Sequence, residues 1–408
     1  MTCNKAGPAG SEPYRSFPSF CRDVYGRRLE RIALDAGMTC PNRDGTLGKN
    51  GCSFCAGGSG DFAVAYRGQR MDMSDFTWFH GNGARPGDFI AYFQAYTSTY
   101  APIKRLRTIF EAALSDPVFA GISVATRPDC LGLFFRRGMG VSGAGWASSG
   151  GNAPGIPGET RLIWPDGDVV LLLEKLKEEH PDKFIWVELG LQTADDATAS
   201  LVRRGYPTAL YDACALELIR AGIPVITHVI LGLPGESREQ MLATVRHVNL
   251  VYENASGTDG RILGGCGIKL QLLHYLTGTE LGDLYLARRG QSDLKDPVGV
   301  LPLRRLARQG RFCPANEDPA AQTDSDRDRE LCAMTEEDYV RTVADCISVL
   351  HPDIVIHRLT GDGNSRILLA PLWSRNKRHV LNSIRHELSV RGIVQGCCRS
   401  QLEKQTFE

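Results

Sequence analysis

The sequence has no net charge, because 47 lysines and arginines balance 47 aspartates and glutamates. That balance removes any whole-molecule attraction to polyanions, so nucleic acid could be held only by a local basic patch. No apolar run approaches the ~20 residues that span a bilayer. Residues 1–18 lack the continuous apolar segment of a secretory signal. No membrane partner is therefore expected, and the expected compartment is cytoplasmic. The 13 cysteines are an odd number in a long chain, unlike the framework of a small disulfide-stapled domain. In a reducing compartment clustered cysteines read as metal ligands and isolated ones as small buried apolar groups.

What is present is enough apolar material to bury a core: 42% hydrophobic residues against 23% charged in 408 residues. Apolar strand-like runs alternate with helical stretches. The strands read as Arg31–Gly37, Phe89–Thr97, Ile122–Arg127, Phe184–Gln192, Pro224–Leu233, Gly267–His274 and Ile354–Leu359. Helices read as Ile103–Ser115, Leu171–Glu179, Tyr211–Ala221 (ending at Gly222) and Arg238–Val251. Strands joined by helix-length connections imply parallel β/α units with right-handed crossovers. About six such units predict an open or closed β/α barrel with its site at the C-terminal strand ends. Two segments break the rhythm: 136–168, rich in Gly, Ser and Pro, and a polar stretch over 287–328, both read as flexible insertions. Neither contains a repeat.

Three cysteines cluster directly after the first strand as Cys40-x11-Cys52-x2-Cys55, in a loop containing Gly45, Gly48 and Gly51. Four paired cysteines would suggest structural zinc. Three, with no histidine nearby, suggest a centre with one open metal position, as in a [4Fe–4S] cluster on three thiolates. Loop glycines would let backbone N–H groups approach the sulfides, and such contacts tune a cluster's potential. Spacing alone also allows a zinc knuckle with a distant fourth ligand, or unrelated buried cysteines.

The run from Cys40 (CPNRDGTLG) to Gly51–Cys55 (GCSFC) resembles the cluster motif of the YhcC-like radical SAM proteins. The resemblance continues in order through GGSGDFA, AYFQAYTSTYAP, ATRPDC, VELGLQT, HVILGLPGE, the 268–274 strand and APLW, over roughly residues 20–396. ATRPD, ELGLQ and GLPGE are also similar to motifs of the Elongator catalytic subunit, a radical SAM protein acting on tRNA. More distantly, the layout resembles oxygen-independent coproporphyrinogen oxidase. The resemblance implies an α/β fold, a partial (β/α)6-type TIM barrel with a C-terminal extension and two insertions. The implied division is residues 1–30 as N-terminal extension, 31–285 as core (interrupted at 136–168), 286–333 as insertion and 334–408 as the extension completing the barrel. It further implies a [4Fe–4S] cluster on Cys40, Cys52 and Cys55. S-adenosylmethionine (SAM) would chelate the open iron and be cleaved to a 5′-deoxyadenosyl radical. A flavodoxin or ferredoxin would supply the electron, and RNA is one candidate substrate.

Several further residues carry site expectations. Arg204 would clamp the SAM carboxylate through its guanidinium fork, a role Arg203 could also fill, against a solvated helix charge. Gln192, at a strand end, would bond the ribose or methionyl group. Glu188 shares its face by the period-two rule and needs a partner if buried. His228 would contact SAM, as a polar residue does in the oxidase layout, or be a satisfied core histidine. Lys269 is an isolated strand cation, either paired with Glu188 or facing the active site. Gln94, Thr97 and Ser98 stand where many family members have a Gly-Gly-Glu motif; this chain has QAYTS, so backbone carbonyls would bind the SAM amine. Thr126, Arg127 and Asp129 form a strand-end turn, with Asp129 a possible helix cap. The GLPGE turn, with Gly232, Pro234, Gly235 and Glu236, would bring backbone close to the adenine. Cys130 reads as a buried structural thiol, with action on substrate beside the pocket as the alternative, and the other cysteines show no second cluster spacing. The cations Arg375, Lys377, Arg378 and Arg385 read as a solvated face in preference to an RNA site. The alternatives in function are a non-catalytic iron–sulfur or SAM-binding regulator and a zinc-structured binding module.

Overall fold

The computed structural model describes residues 12–56, 62–72, 85–133, 166–255, 265–288, 333–361 and 365–399. Both expected insertions lie almost entirely outside these. The first described element, α1 (Phe17–Tyr25), was not assigned from the sequence. Ser16 caps it by accepting from the Ser19 amide, Pro18 sits in its first turn, and Gly26 ends it at φ 67°. β1 (Glu30–Asp35) and the short β2 (Val64–Ala65) flank the cysteine loop. The chain continues through β3 (Phe89–Phe93), α2 (Ile103–Ser115), β4 (Phe119–Thr126), α3 (Val169–Glu179) and β5 (Phe184–Gln192). Next come α4 (Asp196–Leu201), α5 (Thr208–Arg220), β6 (Val225–Leu231), α6 (Arg238–Ala255), β7 (Gly267–Leu272), β8 (Tyr275–Leu276) and α7 (Glu280–Arg288). The last are α8 (Glu336–Val349), β9 (Val355–Arg358), β10 (Leu368–Ala370) and α9 (Lys377–Val390).

Eight strands form one parallel sheet in the order β2-β1-β3-β4-β5-β6-β7-β9, open at both edges; β8 and β10 pair separately and antiparallel. This is a partial TIM barrel. Its central strands are buried on both faces, which is why they read as continuous apolar runs. One face packs against the helices in the main core, and the other faces the barrel interior. The lowest interior layer is aromatic: Phe17 and Phe20 of α1 meet Ile90, Trp186, Ile226 and Val355. The N-terminal segment is thus a plug at the strand starts, tied to the last strand by the Ser16–Ile356 bridge.

The expected strand to Thr97 stops at Phe93. Tyr96 takes φ 56°, and the amides of Thr97 and Ser98 leave the ladder to bond the carbonyls of Thr39 and Ala125 at 3.2 and 3.0 Å. A polar loop whose amides find partners on two neighbouring strand ends cannot also extend its own ladder. Among the described residues, no helix is long and apolar enough to cross a membrane.

Candidate active site

Above the aromatic plug lies a layer of buried charge. Glu188 of β5 accepts hydrogen bonds from Tyr92 Oη at 2.6 Å, His228 Nε2 at 2.7 Å and Lys269 Nζ, while its other oxygen accepts from Ser123 at 3.1 Å. Arg31 stands 3.9 Å away. Burial alone would raise the Glu188 pKa; Lys269, His228 and Arg31 overcome it and hold the carboxyl well below its ordinary range. Burial pulls Lys269 down to about 7 against the attraction of Glu188. Burial and the nearby Lys269 cation also lower His228. A neutral His228 beside a carboxylate carries its proton on Nε2, which leaves Nδ1 as an acceptor.

This layer floors a cavity of about 860 Å³ at the C-terminal strand ends. Cys40, Cys52 and Cys55 stand on one wall. Their loop is built by its own backbone: Cys40 O accepts from Arg43 and Asp44, Pro41 O from Leu47 and Gly48, and the Gly51 amide bonds Asn42 O at 2.7 Å. Gly51 needs its freedom, with φ 74° and the Arg43 guanidinium 3.0 Å from where a Cβ would sit. The loop docks on the turn after α4. Asn42 Nδ2 donates to Arg203 O at 2.8 Å and lies 3.5 Å from Cys52 Sγ, and the Ser53 amide donates to Val202 O. Burial pushes the Cys52 thiol up to about 11.

Gln94, Thr97, Thr126, Gln192, Arg204 and His228 also line the cavity. Gln192 holds φ 66° at a bulge in the β5–β6 ladder. A glutamine in the left-handed region costs about 1 kcal/mol, and such strain gathers where a side chain must be aimed. Thr126 Oγ1 shares a 2.6 Å hydrogen bond with Thr99.

Arg204 differs from the expected clamp. It is 1% exposed, and its guanidinium bonds the carbonyls of Tyr206, Leu191 and Thr193, the Asp196 carboxylate and Thr208 Oγ1. Those bonds use all five donors of an arginine, leaving none for a ligand. Arg203 pairs with Glu280 and is absent from the lining. Arg127 does line the cavity, grips Asp129 with two bonds and donates once to Arg204 O at 2.9 Å. The centre of the Tyr206 ring is 4.9 Å from the Arg127 guanidinium carbon and 4.8 Å from that of Arg204.

Lys269 takes the pairing with Glu188 rather than a place on the cavity wall, and Gly232 is placed differently from expectation. Lys269 lies beneath the floor, 1% exposed, because Glu188 draws it down. Gly232 packs against Met241 and Met334 outside the lining; a Cβ there would come 2.7 Å from Met334 Sδ. The neighbouring Glu236 is 1% exposed, its Oε1 is buried without a hydrogen-bond partner, and burial raises its pKa to about 8. The folded state therefore holds a proton that the unfolded state has released, so stability falls as pH rises from about 4.5 to about 8. Glu236→Gln removes this loss, and its melting temperature is expected to decline less than the wild type's over that window.

Sequence reasoning missed Tyr92, Gln271, Tyr206, Arg43 and Arg358 on the wall. Period two from Gln94 and from Lys269 would have found Tyr92 and Gln271; nothing local marks the others.

A donor set of three thiols on one loop fits an iron–sulfur cluster, which takes each thiolate on a different iron. Among the described residues, no three His, Cys, Asp or Glu side chains converge as around a single ion.

The open parallel sheet with a cysteine-lined cavity at its strand ends defines a radical SAM protein. The family description of the radical SAM superfamily matches residues 150–248, and that of the radical SAM C-terminal domain matches 327–389. The chain belongs to the YhcC-like family of radical SAM proteins. It is 34% identical to YtqA of Bacillus subtilis over 96% of this chain and 95% of that one. It is 28% identical to YhcC of Escherichia coli over 86% and 85%. An Elp3 structure from Methanocaldococcus infernus aligns at 12% identity and TM-score 0.48, covering 91% of this chain and 65% of that one.

Proposed function

We propose that the protein is a radical SAM enzyme that holds one [4Fe–4S] cluster on Cys40, Cys52 and Cys55. The observation carrying this reading is that all three thiols, from one loop, reach the wall of the same strand-end cavity. When bound, the cluster would supply the electron that breaks the sulfonium–C5′ bond of SAM, giving methionine and a 5′-deoxyadenosyl radical, and a one-electron donor of flavodoxin or ferredoxin type would re-reduce it. The rest is work for the chain's own side chains. Asn42 fixes the loop against residues 203–204 and turns an N–H toward Cys52 sulfur. Arg127 keeps two of its five N–H groups beyond its three hydrogen bonds. It is our assignment for the SAM carboxylate, in place of Arg204. Gln192 and the Nδ1 acceptor of His228 are positioned for ribose hydroxyls. Phe54, Ala125, Ile230 and Leu272 present apolar surface that excludes water.

The test is anaerobic reconstitution with iron and sulfide, reduction, and addition of SAM, followed by EPR and chromatography of 5′-deoxyadenosine. Wild type should show a reduced-cluster signal that shifts with SAM. The variant with all three cysteines changed to alanine should show neither signal nor deoxyadenosine. A zinc-loaded wild type, or a cluster indifferent to SAM and to the triple change, would overturn the proposal.

A further inference from the structure

A second groove, of about 460 Å³, lies beside the segment that joins β1 to the cysteine loop. Arg67, Lys104 and Arg105 line it, with Pro102, Thr108 and Ile109, and none of these residues lines the strand-end cavity. All three cations are exposed. Arg105 donates to the carbonyls of Ala36 and Gly37 at 2.9 and 3.2 Å, and Arg67 to those of Asp35 and Tyr66 at 2.7 and 2.9 Å. Both guanidiniums press on Gly37: Arg67 Nη2 lies 3.1 Å, and Arg105 Nη2 3.3 Å, from where a Cβ would sit. Like charges held side by side repel, so an anion lowers the energy of the pair. Among the described residues no carboxylate pairs with any of the three cations. The nearby Asp35, Asp44 and Asp166 turn their carboxylates to the backbone amides of Gly37, Thr46 and Ile103, at 2.7, 2.9 and 2.7 Å. α2 begins here with no acidic residue in its first turn, so the positive end of its dipole adds to the charge. The groove is also tied to the cysteines. The chain from Gly37 to Cys40 spans at most roughly 11 Å. At the tip of the loop Thr46 shares a 2.9 Å hydrogen bond with Tyr100, just before Pro102. Leu47 beside it and Val64 on the edge strand β2 are left 44% and 39% exposed. Apolar groups with a charged rim are the anatomy of a protein contact.

We propose that this groove is the docking surface for the one-electron donor, a small acidic carrier protein. The assignment rests on the radical SAM reading and names the place where the electron of that reading enters. A substrate has to pass into the cavity, whereas a carrier needs only to come close to the cysteine loop, and the groove offers proximity without entry. The carrier loses one electron and the oxidised cluster gains it; no bond forms or breaks in the groove. The chain as a whole is neutral, so attraction of an acidic partner has to come from a local patch. Redox encounters bury little area, so complementary charge rather than extensive packing brings the partners together.

The experiment uses reconstituted holoprotein and, as probe, a flavodoxin, an acidic flavoprotein. Calorimetry follows binding of its oxidised form, and stopped-flow absorbance follows reduction of the cluster by its hydroquinone. The variants are Lys104→Glu and the double change Lys104→Glu, Arg105→Gln. Among the described residues the Lys104 side chain makes no hydrogen bond or ion pair, and a glutamate in the first turn of α2 suits the helix dipole, so folding is not at risk. Lys175→Glu, exposed on α3 outside the groove, is the control. Photoreduced deazaflavin, a small molecule that needs no docking surface, reports whether the cluster is intact. At low ionic strength both variants are expected to bind flavodoxin about tenfold more weakly or worse and to be reduced by it correspondingly more slowly. The control should match wild type, and deazaflavin should reduce all four proteins alike. Added salt should slow wild type more steeply than Lys104→Glu. No flavodoxin binding by wild type at low ionic strength, or equal binding and reduction by wild type and Lys104→Glu, overturns the docking surface. So does a short RNA hairpin that loses affinity in Lys104→Glu while reduction by flavodoxin is unchanged, since that assigns the groove to a polyanion. A wild type without a cluster, or without a SAM-induced EPR shift after deazaflavin reduction, strikes at the radical SAM reading instead, so the two failures are distinguishable.

Discussion

Arg204→Met is expected to lower stability by about 3 kcal/mol or more and to reduce iron uptake on reconstitution, before any effect on SAM can be read. The five donors of Arg204 converge on the segment between the end of β5 and the start of α5. Removing them strands the carbonyls of Leu191, Thr193 and Tyr206 in a buried site, at about 1–3 kcal/mol for each group left without a partner. The damage travels to the cysteines because Val202 O and Arg203 O are the docking points for Ser53 and Asn42. Arg204→Lys keeps the charge but not the fork, so it should fall nearly as far. Arg127→Lys is the contrasting variant: its thermal melt should stay closer to wild type while SAM affinity drops. Thermal melts, iron content and SAM titration by EPR separate the two residues. If Arg204→Met melts like wild type, binds full iron and loses only its response to SAM, Arg204 is the clamp and the scaffold account is wrong.

Glu188→Ala should be destabilising on the same scale, about 3–5 kcal/mol, because it leaves the Lys269 ammonium buried without its counter-charge. The double change Glu188→Leu, Lys269→Met should recover most of that loss, since an apolar pair of similar volume has no charge to desolvate. The pH dependence gives the sign. In wild type, Glu188 is held well below its ordinary pKa. Its contribution is present above about pH 4.5 and is lost as pH falls through the folded value. In Glu188→Ala the main group raising Lys269 is gone, so the folded pKa of Lys269 drops further below that of the unfolded chain. The unfolded state then binds the extra proton, and the variant should regain stability as pH rises toward the ordinary lysine range. A Glu188→Ala melt that does not improve between neutral and alkaline pH would contradict the buried ion pair.

Much of the fold was legible. α2 and β5 coincide with the runs read for them, because apolar period and turn chemistry are local properties. The missed α1 is short and amphipathic, and its reason for existing is the barrel bottom it fills, which no local pattern records. The site was legible in part. Gln192 ends β5 and His228 lies in the middle of β6, and both reach the cavity. Lys377, read as one of a row of solvated tail cations, stands on the cavity wall because α9 returns the chain to the mouth of the barrel.

The sequence by itself determined the cysteine loop and the succession of parallel β/α units, since cysteine spacing and apolar runs are written along the chain. The tertiary structure alone decided which inward charges are available. Arg204 has all five donors engaged and Arg127 three of its five, and Lys269 lies beneath the floor, held by Glu188. The reason is physical: a buried charge takes whichever partner the fold brings near. For this chain those partners lie on other strands, as Glu188 does for Lys269, or at turns far along the sequence, as residues 203–204 do for Asn42.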